Sequence, residues 1–474
     1  MCDAADPAQP AAAPLTAASS DTRSNTVADA LADDLAYALA DGIAVAVIHA
    51  LLFAAAMSRW IVVDDIHLDP FFREQTVYGA GDTTPVLWAG AVRAMRAEVP
   101  DARVVVLGGD ELAHLWGGLA RAAHADPEAA ALATMRRIAD DLGAAYPHAQ
   151  FIVALGNNDD PCGDYASESG GRYLAALERI WEPLVDRNGA APHFRDEFMR
   201  GGYYGVRLPD GERAVVLNTV LWSAVARSGC TSDTSGAGAA ELAWFDRTLA
   251  ALPAAERAVP VMHVPPGYDA RTTTELGELF AMPFLNSDDN RALLSVLARN
   301  RERIPFALAA HTHHYDFRVA AGVPMLLASS ISPVYGNLPA FYELDVSGGR
   351  LRDVVPYTYD PHGAGVRFTA REPFDAMYGI AAFDAPALQA AAARIRTDEP
   401  TRATWLRALA VWGVKQRGSW LPSACAQTEL EGGFSWCAGV AQRQLSIGAV
   451  ALLCLAAGVA LLVRGLRRRV DRRA

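Results

Sequence analysis

The sequence predicts an α/β domain, then a smaller helical subdomain, then a C-terminal transmembrane helix. Three observations predict this. Short apolar runs alternate with Ala-rich helical stretches from Arg59 to about Pro356. Several of those runs stop abruptly at a carboxylate, an amide or an imidazole. Near the end, an uncharged run from Leu445 to Val463 is followed at once by "RGLRRRVDRRA".

Taken in order, residues 1–42 are rich in Ala, Pro, Ser, Thr and Asp and are expected to be disordered. Residues 43–58 contain "IAVAVIHALLFAAAM", an uncharged stretch of the length of a signal-peptide core, with Ala54, Ala55 and Ala56 as a small-residue cleavage site. The region before it is acidic rather than basic, and a buried helix is the other reading of this segment. Residues 59–356 form the α/β domain. Its strand candidates are "WIVVDD", "RVVVLGGD", "FIVALGNND", "YYGVRL", "AVVLNTV", "VPVMHV", "PFALAAHTH" and "PMLLASS". Helical candidates such as "PEAAALATMRRIADDLGAAY" and "GAAELAWFDRTLAAL" lie between them. No internal repeat is visible. Residues 357–443 form the C-terminal subdomain, helical from about Ile380 to Arg417 and ending in the loop "SACAQTELEGGFSWCAG". Residues 444–463 come close to the ~20 residues that a bilayer core requires. The dense Arg of residues 464–474 marks the cytoplasmic side. The bulk of the chain is therefore expected outside the cytoplasm, in a periplasm or at a cell surface.

Composition narrows the classes. A formal net charge of -12 over 474 residues argues against nucleic-acid binding, which needs a basic face for the phosphates. None of the six Cys forms a CxxC pair, so a zinc ribbon or thioredoxin-like site is not expected. In an oxidising compartment Cys425 could pair with Cys437 and Cys162 with Cys230; free buried thiols are the alternative.

The chemistry concentrates at strand ends. "WIVVDDIH" ends in Asp65 and His67, "RVVVLGGD" in Asp110, and "FIVALGNN" carries Asn157. "VPVMH" ends in His263, and "PFALAAHTH" in His311 and His313. In an open α/β sheet, ligands bind outside the carboxyl ends of the strands. Asp65 and His67, like His311 and His313, are two apart, so in an extended segment each pair would point one way. Taken singly, each motif is an ordinary turn or a satisfied core histidine; the ordered set is not. Imidazole and carboxylate donors suit Zn, Mn or Fe. Seven donors exceed one tetrahedral ion and fit two divalent ions sharing a carboxylate, spaced ~3.5–4 Å apart.

The order D-x-H, GD, GN, H, H-x-H resembles that of the calcineurin-like metallophosphoesterases. "DIHLDPFF", "GDELAH", "GNNDDPCGDY", "HVPPG", "HTHHYDF" and "SSISPVYGNLPAFYELDV" resemble the acid sphingomyelinase-like and endopolyphosphatase branch. The likeness covers roughly Trp60 to Ser347. It implies a β-sandwich flanked by helices. It assigns one metal to Asp65, His67, Asp110 and His313, and the second to Asp110, Asn157, His263 and His311, with Asp110 bridging. It implies attack on phosphorus by a metal-bridged hydroxide. His114, in the position of the family's GDxxxH, would contact the phosphate or protonate the leaving oxygen. Three positions depart from the pattern: Asn158 where many relatives carry a catalytic His, Ala310 for the Gly before H-x-H, and Glu111, which would add negative charge beside the site. His49, His124, His148, His193 and His362 match no motif.

The expected function is thus a membrane-anchored, dinuclear, metal-dependent phosphoesterase. Its substrate is a phosphodiester such as a lipid head group or a nucleotide, a phosphomonoester or other phosphorylated small molecule, or polyphosphate. The alternative is a catalytically silent surface receptor or scaffold that keeps the fold. No stretch before the domain reads as a Cys-rich lipid-embedding module, so sphingomyelin specificity is not implied.

Overall fold

In the computed structural model of the chain, residues 57–72, 81–363, 365–413 and 419–471 are described. The N-terminal segment, His49 and nearly all of the candidate export signal lie outside them.

The described residues form fourteen strands: β1 Met57–Val63, β2 Val104–Leu107, β3 Gln150–Val153, β4 Ala166–Ser167, β5 Tyr204–Arg207, β6 Arg213–Leu217, β7 Arg227–Ser228, β8 Ala258–Met262, β9 Ala307–Ala309, β10 Asp316–Ala320, β11 Val323–Leu327, β12 Ala340–Ser347, β13 Arg350–Tyr359 and β14 Phe368–Ala370. They make two six-stranded sheets, ordered β14-β13-β12-β1-β2-β3 and β10-β11-β9-β8-β6-β5, plus the small pair β4-β7. Each large sheet has a parallel centre: β1, β2 and β3 in one, and β6, β8, β9 and β11 in the other. The two sheets share a core. Val62, Val105 and Phe151 of the first belong to the same buried cluster as Val261, Leu308 and Leu326 of the second. Along β6, Val216 faces that core while Val215 and Leu217 face the helices Ala237–Ala251 and Ser287–Asn300 on the other side, the period-two alternation of a strand.

The flanking helices start where the sequence supplies caps. Thr84 accepts from the Leu87 amide (3.1 Å) ahead of Pro85, and Asp126 accepts from the Ala129 amide (2.8 Å) ahead of Pro127. An oxygen at the N-cap satisfies a free helix N–H, and Pro at the first helical position gives up a donor that had no partner.

The first sheet continues past residue 356. β13 runs across that position and β14 adds to it, so the sheet ends at Ala370. The region beyond is helical, with Ala385–Thr397 and Glu399–Leu409, and it packs back on β10. There Asp316 Oδ1 accepts from Gln427 Nε2 (2.7 Å) and Trp405 Nε1 (3.1 Å), wholly buried. Burial pushes its carboxyl up to about 6, although Gln427, Trp405 and the charge of Arg318 pull the other way. A carboxyl that binds its proton more tightly when folded stabilises the fold at low pH, and that stability is lost as pH rises from the unfolded value of 3.8 through about 6. Asp316→Asn keeps the acceptor and removes the charge. It is expected to raise stability above pH 6 by on the order of 2 kcal/mol and to flatten this part of the profile. Denaturant melts of both proteins at about pH 5 and about pH 7.5 check this.

Cys162 pairs with Cys230, and Cys425 with Cys437; Cys454 is free and exposed. The last helix, Val440–Asp471, contains Val440–Arg464, long and apolar enough to cross a membrane and exposed over residues 442–464.

Candidate metal centre

Five strand ends converge. β1 leads to Asp65 and His67, β2 to Asp110, β3 to Asn157, β8 to His263, and β9 to His311 and His313. All seven predicted ligands come together. His67 Nε2 lies 3.2 Å from His313 Nε2 and 3.4 Å from Asp110 Oδ2. His313 Nε2 lies 3.4 Å from Asp65 Oδ1. On the other side, His263 Nε2 lies 3.4 Å from Asp110 Oδ2, 3.0 Å from Asn157 Oδ1 and 3.2 Å from His311 Nδ1. Asp110 is common to both groups.

The surroundings orient each donor. His67 Nδ1 donates to the Leu112 carbonyl (3.0 Å) and His263 Nδ1 to the Gly108 carbonyl (2.8 Å). A carbonyl can only accept, so each ring keeps its proton outside and turns the Nε2 lone pair inward. His311 does the reverse, with Nε2 on the Tyr165 hydroxyl (3.1 Å) and Nδ1 inward. Asn157 Nδ2 donates to Asp164 (2.7 Å), which leaves Oδ1 facing the histidines. Asp65 Oδ2 accepts from the His311 amide (3.0 Å), whereas its buried Oδ1 has no hydrogen-bond partner. Inward lone pairs facing one another around an orphaned carboxylate oxygen are a donor set that fits divalent cations. Burial works against a charge on His263, yet Asp110 and Asp65 hold its ring up to about 10.

The backbone at the ligands differs from the extended geometry expected. Asp65, His67, Asp110, His311 and His313 all have positive φ, between 45° and 70°. The i, i+2 rule for extended chain therefore does not align the pairs. These five of the seven donors are left-handed residues just beyond their strands, a conformation that costs energy and persists where packing imposes it. The packing is close: a Cβ on Gly156 would collide with the carboxylate and amide of Asp110, so the motif needs glycine there.

Asp159 is the support that the sequence did not single out. Its carboxylate accepts from the amides of Asp110 (2.9 Å), Glu111 (2.8 Å) and Gly156 (2.7 Å), tying the GD turn to the GN turn. The Asn158 amide and side chain both donate to Asp110, at 2.7 and 2.8 Å. Burial, and then Asp159, push the Glu111 carboxyl well above the usual range, which works against the negative charge expected there. His124, His148, His193 and His362 are exposed, away from the site.

His114 sits at the edge of the first group. Its ring stacks on that of His67 with centroids 3.9 Å apart, and it lines the open cavity of about 290 Å³ above the ligands. Its Nδ1 donates to Asp82 (2.8 Å), and Asp82 also accepts from the His114 amide (2.8 Å). Burial opposes the charge on Asp82, but the His114 hydrogen bond and the charges of His67 and His114 outweigh it and hold the carboxyl below its usual range. Asp82 thus fixes the tautomer and leaves Nε2 free. Only the Thr-Pro pair after it marks this position in the sequence, as a helix start. Asp82→Ala is expected to lower kcat roughly tenfold with metal content unchanged. In a His114→Ala background the same change should cost little, because both act through one ring; steady-state kinetics of the double-mutant cycle check this.

No protein-family model matches the chain. Acid sphingomyelinase-like phosphodiesterase 3b of Mus musculus is 25% identical over 359 residues, 67% of this chain and 74% of its own length. Sphingomyelinase phosphodiesterase D of Dictyostelium discoideum is 25% identical over 260 residues, 51% of this chain and 56% of its own length. Among solved structures, a dimetal phosphatase from Danio rerio aligns over 66% of this chain and 98% of its own, at 16% identity and a TM-score of 0.40. Likeness to named phosphodiesterases and an ordered donor set that folds into one place agree: the chain is a metal-dependent phosphoesterase that resembles the calcineurin-like metallophosphoesterases and, among them, the acid sphingomyelinase-like branch.

Proposed function

We propose that the protein is a membrane-anchored, dinuclear phosphoesterase acting outside the cytoplasm, with phosphodiesters, lipid head groups among them, as its first substrate class. Phosphomonoesters and polyphosphate are the further classes to test. The observation that carries this reading is the pair of donor groups sharing Asp110. Asp65, His67, Asp110 and His313 would hold one divalent ion; Asp110, Asn157, His263 and His311 would hold the other. Zn, Mn and Fe are the ions such donors suit. Bound there, two ions would activate water and neutralise charge on the phosphoryl oxygens. The chain's own residues do the rest. Asn158 and Asp159 hold Asp110 between the two groups. His114 presents Nε2 to the cavity; as the imidazolium, with Nδ1–H held by Asp82, it gives its Nε2 proton to the leaving oxygen and is left as the neutral Nδ1–H ring. Asp164 keeps the Asn157 oxygen facing in. The apolar helix Val440–Arg464 supports the anchor, and the Arg-rich segment after it supports the orientation.

The test is a chelated enzyme reloaded separately with Zn, Mn or Fe and assayed on bis-p-nitrophenyl phosphate, p-nitrophenyl phosphate, a lipid phosphodiester and polyphosphate. Activity restored with about two ions per chain, and highest on a diester, is the expected result. No activity with any metal, with metal content well below two ions, would return the protein to the receptor or scaffold class.

A further inference from the structure

We infer that the loop 276–280, together with Trp436, docks into the lipid surface of the membrane that the C-terminal helix crosses, and so holds the mouth of the metal cavity against the head groups. This rests on the membrane-spanning reading above. Its own support is a set of contacts and exposures on the folded domain.

The loop is fastened to the helix at a defined height. Arg443 Nη2 pairs with Glu278 Oε2 at 2.5 Å, and Gln444 Nε2 donates to the Leu279 carbonyl at 2.8 Å. Arg443 and Gln444 immediately precede Leu445, where the uncharged run begins. At ~1.5 Å of rise per residue, the loop is pinned within one helical turn of the start of the hydrocarbon. At that level the protein exposes large apolar side chains: Leu276 is 42% exposed, Phe280 58% and Trp436 58%. A water-facing surface gains nothing from them, whereas aromatic rings partition to the membrane interface, and a cation such as Arg443 suits the phosphate layer.

The attachment is stiff. Cys437 is bonded to Cys425, and the Phe434 ring stacks on Tyr268 with centroids 4.2 Å apart and planes 7° from parallel. Tyr268 lies in the loop that follows His263. The short helix Ala270–Glu275 supplies Arg271, Thr272 and Glu275 to the cavity wall and runs directly into Leu276. The apolar tip and the rim of the cavity are therefore consecutive parts of one segment, and seating the tip in lipid turns the cavity toward the membrane surface.

The test uses the full chain with Cys2 and Cys454 replaced by Ala and the disulfides Cys162–Cys230 and Cys425–Cys437 kept. An environment-sensitive fluorophore is attached at Phe280→Cys, and in separate samples at Leu452→Cys within the span and at Pro209→Cys beside the far, amino ends of the parallel strands. Each is reconstituted into phosphatidylcholine vesicles with and without brominated acyl chains. The labels at 280 and 452 are expected to lose most of their fluorescence to the brominated lipid, and the label at 209 none. Quenching at 452 with none at 280 overturns the docking and leaves the anchor standing. A label at 280 that is shielded from water but unquenched by the lipid means that protein covers the loop, and also overturns it. A chain released by alkaline carbonate, with 452 unquenched, brings down the membrane reading and the docking with it. Leu276→Cys gives a second reading of the same loop should a label at 280 disturb it.

Discussion

Asp110→Asn is expected to lower kcat on bis-p-nitrophenyl phosphate by about 10³-fold or more, which is about 4 kcal/mol of transition-state stabilisation. The substitution keeps the size of the side chain and removes the one charge common to both donor groups. Asp110 Oδ2 lies 3.4 Å from both His67 Nε2 and His263 Nε2, so both ions would lose a ligand at once. The amide also faces the wrong partners. Asp110 accepts from the Asn158 side chain and amide, and an Asn amide nitrogen turned toward either would leave two donors opposed. Metal content should therefore fall together with activity. Metal analysis and kinetics on the same preparation check this, with circular dichroism reporting the fold. A variant that kept full activity would remove Asp110 from its bridging role.

His114→Ala should separate catalysis from metal binding. The ring stacks on His67 but directs its inner nitrogen to the cavity, and Asp82 holds the outer one. Removing it is expected to leave two ions bound and to lower kcat by about 10²–10⁴ on an alkyl phosphodiester. The size of the loss should follow the leaving group. A p-nitrophenolate departs readily without a proton, so the defect on p-nitrophenyl substrates should be much smaller than on alkyl esters. Equal losses on both would mean that His114 binds the phosphate rather than protonating the leaving oxygen. A loss of metal would instead make it a ligand, which its position beside His67 and His313 makes a meaningful outcome.

Much of the site was legible before folding, for a physical reason. A parallel strand buried on both faces has to be an uninterrupted apolar run, so a ligand at its end appears as an abrupt change of chemistry. "WIVVDDIH", "RVVVLGGD" and "PFALAAHTH" each show that change. The C-terminal apolar helix was legible likewise, because a run without charges needs no partner to be recognised. The sheet boundary was not. β14 is an edge strand of the first sheet and β13 is the next one in, paired with β14 only at its end; on these two strands Arg350, Arg352 and Thr369 can face solvent and the apolar signal is diluted. Asp82 and Asp159 were missed because each acts through hydrogen bonds to residues far off in the chain, and an aspartate in a turn looks the same whether it caps a helix or holds a catalytic ring.

What the sequence determined by itself is the inventory: which side chains stand at strand ends, in what order, and with what chemistry. Only the tertiary structure decided how they are aimed. The left-handed backbone at Asp65, His67, Asp110, His311 and His313, the outward protons of His67 and His263, and the upward shift of the Glu111 carboxyl all depend on groups brought close by packing. A dihedral, a tautomer and a protonation state are set by neighbours in space, and those neighbours are not adjacent in the chain.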